Sequence, residues 1–263
     1  MANGSCIEWT ESTWNPVTGC TKISLGCHHC YAERMAYRLK GMGNPRYRNG
    51  FEVTLHHDAL ALPAAWRKPQ MIFVNSMSDL FHRSVPVGFI RDVFAAMQDT
   101  PRHTFQVLTK RAERLAEVAP RLPWPDNVWA GVTVEAPEYL PRLNFLRTVP
   151  AAVRFVSFEP LLGPVAAADL EGINWVIVGG ESGPGARPMQ ADWVRDIRDK
   201  CVNLAVPFFF KQWGGARKRE AGRVLDGMIW RQLPSPRSDV SATAHPTSPR
   251  PPGSPPSPSR RRV

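Results

Sequence analysis

The feature that most constrains the fold is an alternation. Short runs rich in β-branched and aromatic residues take turns with longer stretches of helical period. The runs at 51–56, 71–75, 104–109, 128–134, 154–158, 175–178 and 207–211 read as strands. The stretches at 28–39, 86–98, 112–118, 137–147 and 191–203 read as helices, and Pro86 and Pro137 suit a first helical turn. A further strand near 14–18 brings the strand count to eight. A helix between two strands carries the chain back to the starting edge, so the strands should run parallel. The expected class is α/β, a parallel (β/α) barrel, complete or partial. A doubly wound open sheet competes with it, and periodicity alone does not separate the two.

In either arrangement chemistry collects where strands end. Those positions are rich in polar groups. The second run of the body leads into Ser76, Ser78 and Asp79, and the next into Lys110 and Arg111. The following two end at Glu135 and Glu159. The last two end in Gly179-Gly180-Glu181-Ser182 and Lys211-Gln212-Trp213. Six strands ending this way point to a shared pocket. In one barrel, Asp79, Lys110, Glu135, Glu159, Glu181 and Lys211 would gather on the same rim.

Three of the five cysteines, Cys20, Cys27 and Cys30, lie within eleven residues in a C-x6-C-x2-C pattern. The pattern follows a predicted strand and enters a predicted helix. Three thiolates on one loop can hold three irons of a [4Fe–4S] cubane and leave the fourth iron open. The short gap between Cys27 and Cys30 lets both reach one cluster, and Gly26 permits a tight turn before Cys27. Zinc is the alternative, with His28 or His29 as a fourth ligand, but no second paired element follows. Plain buried thiols are a third reading. Cys201 lies in a predicted helix and reads as a small buried hydrophobe; Cys6 is left as a free thiol. An odd cysteine count with this clustering fits a reducing compartment, so a cytoplasmic location is expected.

The 263 residues carry a net charge of +10. Residues 235–263 hold five Arg and one Asp, hence +4 of that total, and eight of the 26 prolines. With almost no large apolar side chains, this segment is expected to be a disordered tail behind a catalytic domain at 1–234. No apolar run approaches the roughly 20 residues of a membrane span. The N-terminus lacks a basic patch followed by an apolar stretch, so no secretory signal is expected.

A three-cysteine loop leading into a helix, on a (β/α) barrel, resembles the radical S-adenosylmethionine (SAM) superfamily. The strings TWNPVTGC, GCHHCYAE, NSMSDLFH, VLTKR, GVTVE, SFEPLLGP, VGGESG and FFKQWG more closely resemble a phage-associated family of unknown function, over roughly residues 5–233. SDLFH and LTKR are also distantly similar to motifs of the spore photoproduct lyase branch, which repairs ultraviolet lesions in DNA. The resemblance implies a [4Fe–4S] cluster on Cys20, Cys27 and Cys30, SAM as cofactor, and a one-electron donor of flavodoxin or ferredoxin type. It implies Lys110 as a cation for the SAM carboxylate, and Ser78, Asp79 or Glu159 as acceptors for ribose hydroxyls. Gly179, Gly180 and Glu181 match a cofactor-binding Gly-Gly-Glu. Two features depart from the superfamily pattern. The first cysteine gap is six residues rather than three, with His29 where an aromatic residue is usual and Tyr31 after the last cysteine. The Gly-Gly-Glu follows a late strand instead of an early one, so substrate binding is its other reading. The expected function is a radical SAM enzyme whose substrate is open, with the positive charge and the resemblance pointing toward a nucleic acid or nucleotide. A zinc-stabilised nucleic-acid-binding barrel without catalysis, and a barrel whose cluster is structural or redox-sensing, are the alternatives.

Overall fold

Seven of the apolar runs become strands of one parallel sheet whose order follows the chain. They are β1 (Ser12–Trp14), β4 (Met71–Val74), β5 (Thr104–Thr109), β6 (Val128–Thr133), β7 (Arg154–Phe158), β8 (Trp175–Gly179) and β9 (Phe208–Gln212). The computed structural model describes residues 7–217 and 221–234. Cys6 and the tail expected at 235–263 lie outside the described residues. The sheet curls into a half-barrel with β1 and β9 as its edges, which settles the fold as a partial barrel. Its last edge is covered: Phe210 N–H donates to Trp230 O at 3.0 Å, and Gln232 N–H to Phe208 O at 3.1 Å.

The expected count of eight barrel strands is corrected to seven. Of the run at 51–56 only β3 (Thr54–Leu55) is a strand, and it pairs antiparallel with β2 (Val17–Thr18) in a separate two-stranded sheet. The segment near 14–18 accordingly divides between two sheets. Helices α1 (Tyr31–Gly41), α2 (Leu62–Ala65), α3 (Val87–Gln98), α4 (Ala112–Val118), α5 (Arg142–Arg147) and α6 (Ala191–Asn203) complete the elements. The stretch expected as one helix over 137–147 is instead a 3-10 turn at Pro137–Tyr139 followed by α5, with Pro141 as the α5 cap. Proline lacks an N–H and clashes with the preceding turn, so it breaks the helix there.

Alternation along the strands separates two cores. Val74, Val107, Val132, Val156, Val178 and Phe210 face outward and pack with Phe94, Leu115, Leu146 and Ile197 of the helices. The inward residues Phe73, Trp129, Phe155, Trp175 and Phe209 form an aromatic layer with Trp9. Trp9 stands edge-on to Trp175 at a centroid distance of 6.2 Å, a favoured arrangement for buried rings. This layer fills the concave face at the N-terminal side of the strands, so free space is left at the C-terminal rim.

Candidate metal centre

The cysteine loop crosses that rim. Cys20 follows β2 at the start of the long β2–β3 connection, its N–H donating to Phe51 O at 3.1 Å. Cys27 ends a 3-10 turn at Leu25–Cys27, and Cys30 is the N-cap of α1. Helix α1 therefore begins at Tyr31, not at residue 28. All three thiols are free and partly exposed. Cys20 and Cys30 border the same small apolar cluster of Ala32, Ala36, Tyr47, Phe51 and Met77. Cys27 and Cys30 both lie within electrostatic reach of the Lys22 ammonium, which Glu33 holds above its ordinary pKa.

Charged groups from the strand ends fix this loop from three sides. Beyond β6, Glu135 is fully buried and accepts from Ser24 Oγ at 2.5 Å and Arg142 Nη1 at 2.6 Å, with Lys110 Nζ at 3.5 Å. Gly26 sits directly over Glu135. A Cβ there would lie 2.7 Å from Glu135 Oε1, so glycine is needed for close approach and not for the turn expected from sequence.

Beyond β8, Glu181 accepts from Arg187 Nε at 2.9 Å, Arg187 Nη2 at 2.5 Å and the Arg187 backbone N–H at 2.9 Å. It also pairs with His29 Nδ1 at 3.1 Å. Arg187 Nη2 reaches on to Leu25 O at 2.9 Å. Burial pushes the Glu181 carboxyl up, but the hydrogen bonds from Arg187 and His29 outweigh it and hold the group at about 2. The late Gly-Gly-Glu thus clamps the cysteine loop. Its glycines have packing reasons: a Cβ on Gly180 would meet Trp213 O at 1.9 Å, and one on Gly179 would press on Glu159 at 3.3 Å. Glu159 itself is ion-paired to Lys211 of β9 across that space.

The third side is beyond β4 and β5. Asp79 accepts from Thr109 Oγ1 at 2.7 Å, from the N–H groups of Phe81 and Lys110 at 3.0 and 3.2 Å, and from Arg111 Nη1 at 3.0 Å. Arg111 also donates to Cys20 Sγ at 3.4 Å and, through Nη2, to Thr21 O and Oγ1, both at 3.0 Å. Ser84 N–H donates to His82 Nδ1, so the His82 proton sits on Nε2 and points to Thr21 Oγ1 at 2.9 Å. Burial and the Asp79 charge push the Cys20 thiol up to about 11, against Arg111, which stabilises the thiolate. Ser78 donates its hydroxyl to Val17 O at 2.8 Å.

The structure brings Asp79, Lys110, Glu135 and Glu181 to the cysteine loop directly or through one partner. Glu159 and Lys211 form a separate pair on the concave face. Asp79 accepts four internal bonds, while Ser78 donates one and keeps its oxygen as an acceptor. Sequence reasoning missed Ser24, His29 as a clamp partner, Arg142 and Arg187, and gave Arg111 no role. The one available signal was the density of arginine after strand ends. Cys201 is buried in α6, and burial pushes its thiol up to about 12. Between the cysteine loop and the starts of α4 and α5 lies an open cleft of about 410 Å³, lined by Ile23, Phe81, Lys110, Arg111, Tyr139 and Arg142 among others.

The donor set suits an iron–sulfur cubane, where each thiolate binds a different iron and the three need not converge on one point. Among the described residues no three His, Cys, Asp or Glu side chains converge as ligands of a single metal ion. His29, a candidate fourth ligand for zinc, pairs Nδ1 with Glu181, which leaves Nε2 as its ligand atom. No described helix is long and apolar enough to cross a membrane.

Among solved structures, the chain is similar to a mutant of spore photoproduct lyase with bound AdoMet and dinucleoside spore photoproduct, at 14% identity and a TM-score of 0.47. That match covers 76% of this chain and 63% of the other. Spore photoproduct lyase complexed with dinucleoside spore photoproduct is similar at 13% identity and a TM-score of 0.41, over 70% of this chain and 59% of that one. The chain therefore spans less than two thirds of the solved structures it matches. No curated protein matches it. A family model described as "Protein of unknown function (DUF5131)", a description that carries no phage association, matches residues 4–234, and the chain belongs to that family.

Proposed function

We propose that the protein is a radical SAM enzyme. The observation that carries this reading is the placement of Cys20, Cys27 and Cys30 on one loop, held over the C-terminal rim of a parallel half-barrel by Glu135, Glu181 and Arg111. A [4Fe–4S] cluster on three thiolates has one open iron and, when bound, supplies the electron that cleaves SAM into methionine and a 5′-deoxyadenosyl radical. The protein's own part is to hold, orient and shield. Lys110 lines the cleft beside the loop and is only loosely paired with Glu135, so it is the cation assigned to the SAM carboxylate. Glu159 and Lys211 lie on the concave face above the aromatic layer and would contact the ribose or the substrate. Asp79 holds the rim through its bonds to Thr109 and Arg111, and Ser78, which donates to Val17 O, keeps its hydroxyl oxygen as an acceptor for a ribose hydroxyl. The aromatic layer closes the floor against water, which a radical needs.

The reading extends to a nucleic acid or nucleotide substrate, supported by the net charge of +10 and the arginines around the cleft. It also includes a cytoplasmic setting and a flavodoxin- or ferredoxin-type electron donor. The test is anaerobic reconstitution with iron and sulfide, then incubation with SAM and dithionite. Formation of 5′-deoxyadenosine and methionine is expected, with loss of both in Cys27→Ala. Stoichiometric zinc with no iron uptake, or iron uptake without SAM cleavage, would overturn the proposal.

A further inference from the structure

We infer that Arg111 sets the reduction potential of the cluster through its hydrogen bond to Cys20, an inference that rests on the function proposed above. The guanidinium donates to the Cys20 sulfur at 3.4 Å. It is held there by a fork that leaves little freedom. One terminal nitrogen is shared between Cys20 Sγ and Asp79 Oδ2, and the other between the Thr21 carbonyl and hydroxyl. Thr109 and the N–H groups of Phe81 and Lys110 fix Asp79 in turn. The side chains of Arg111 and Asp79 are only 11% and 8% exposed, so water screens the contact weakly.

One-electron reduction adds a negative charge to a centre already ligated by thiolates. A donor aimed at a ligand sulfur favours the more negative state and raises the potential. Asp79 acts on Cys20 with the opposite sign, so removing the guanidinium would leave that negative charge unopposed beside the sulfur. The three sulfurs are unequal in this respect: Cys27 has the neutral Ser24 hydroxyl at 3.5 Å and the Lys22 ammonium within electrostatic reach, where Cys20 has a hydrogen-bonded guanidinium. Lysine could not replace arginine, because an ammonium cannot span Asp79, Thr21 and Cys20 in one plane.

The experiment is a mediated redox titration of the reconstituted protein without SAM, followed by paramagnetic resonance of the reduced cluster. The parent, Arg111→Met, Arg111→Lys and Arg114→Met are compared, with iron and sulfide content measured for each. Arg114 is one turn further along, pairs with Glu117, and makes no contact with Cys20. Arg111→Met should shift the midpoint to a more negative value, Arg111→Lys should fall between it and the parent, and Arg114→Met should match the parent. Equal midpoints for parent and Arg111→Met, or an equal shift in Arg114→Met, would overturn the inference. If Arg111→Met takes up no iron, Arg111→Lys decides: a midpoint equal to the parent's overturns it. A parent without a cluster would instead sink the proposed function, so the two failures are distinguishable.

Discussion

Glu181 shows how a single side chain changes its meaning once the fold is known. In sequence it completes a Gly-Gly-Glu that reads as a cofactor or substrate contact. In the folded chain three donors from Arg187 and one from His29 surround it, and Arg187 ties it to the Leu25 carbonyl. A carboxyl held at about 2 stays ionised where the unfolded chain, titrating near 4.5, takes a proton. The clamp's contribution is therefore complete above about pH 4.5 and is lost as pH falls toward 2, and a shift of this size corresponds to roughly 3 kcal/mol. Urea unfolding at a series of pH values should show the parent losing stability across that window, with Glu181→Gln flatter and less stable at neutral pH. Equal slopes for the two proteins would contradict the clamp. The cysteine spacing was legible because it is local. The partners of the loop were not: Ser24 and Glu135 are 111 positions apart, and His29 and Glu181 are 152 apart. Only the topology brings them together.

At the level of elements, six of the seven barrel strands were legible to within about a residue, while the run at 14–18 overlaps β1 only at Trp14. Strands such as β6 and β8 are buried on both faces and read as unbroken apolar runs. The run at 51–56 misled because propensity does not say which sheet a strand joins. Its two paired residues find β2, not β1 or β4. The aromatic layer imposes a further local demand. A Cβ on Gly131 of β6 would lie 2.4 to 2.6 Å from three ring carbons of Phe155 on the neighbouring strand. Gly131→Ala should destabilise the protein by about 1–3 kcal/mol through overpacking. Adding Phe155→Leu should recover part of that loss, although Phe155→Leu is itself destabilising in the parent background. Denaturant melts of the two single variants and the double variant check this; simple additivity would show that the ring does not fill the space against Gly131.

For the whole molecule, the fold and the site follow from one property of parallel sheets. Every strand delivers its last residues to the same rim. That rule led to the expectation that Asp79, Lys110, Glu135, Glu159, Glu181 and Lys211 gather on one rim facing the cysteine loop; the first three and Glu181 meet the loop, while Glu159 and Lys211 pair with each other. It did not predict that most of them would hold the loop and leave few groups free for ligand. The half-barrel keeps its lower concave face packed with rings and leaves its upper rim to the cysteines. The central claim is that three thiolates leave one iron open for SAM. Paramagnetic resonance of the reduced, reconstituted protein with and without SAM tests it most directly. The account predicts a cubane signal whose g-values change when SAM is added, in the parent and in Cys201→Ala alike. A signal indifferent to SAM would contradict it.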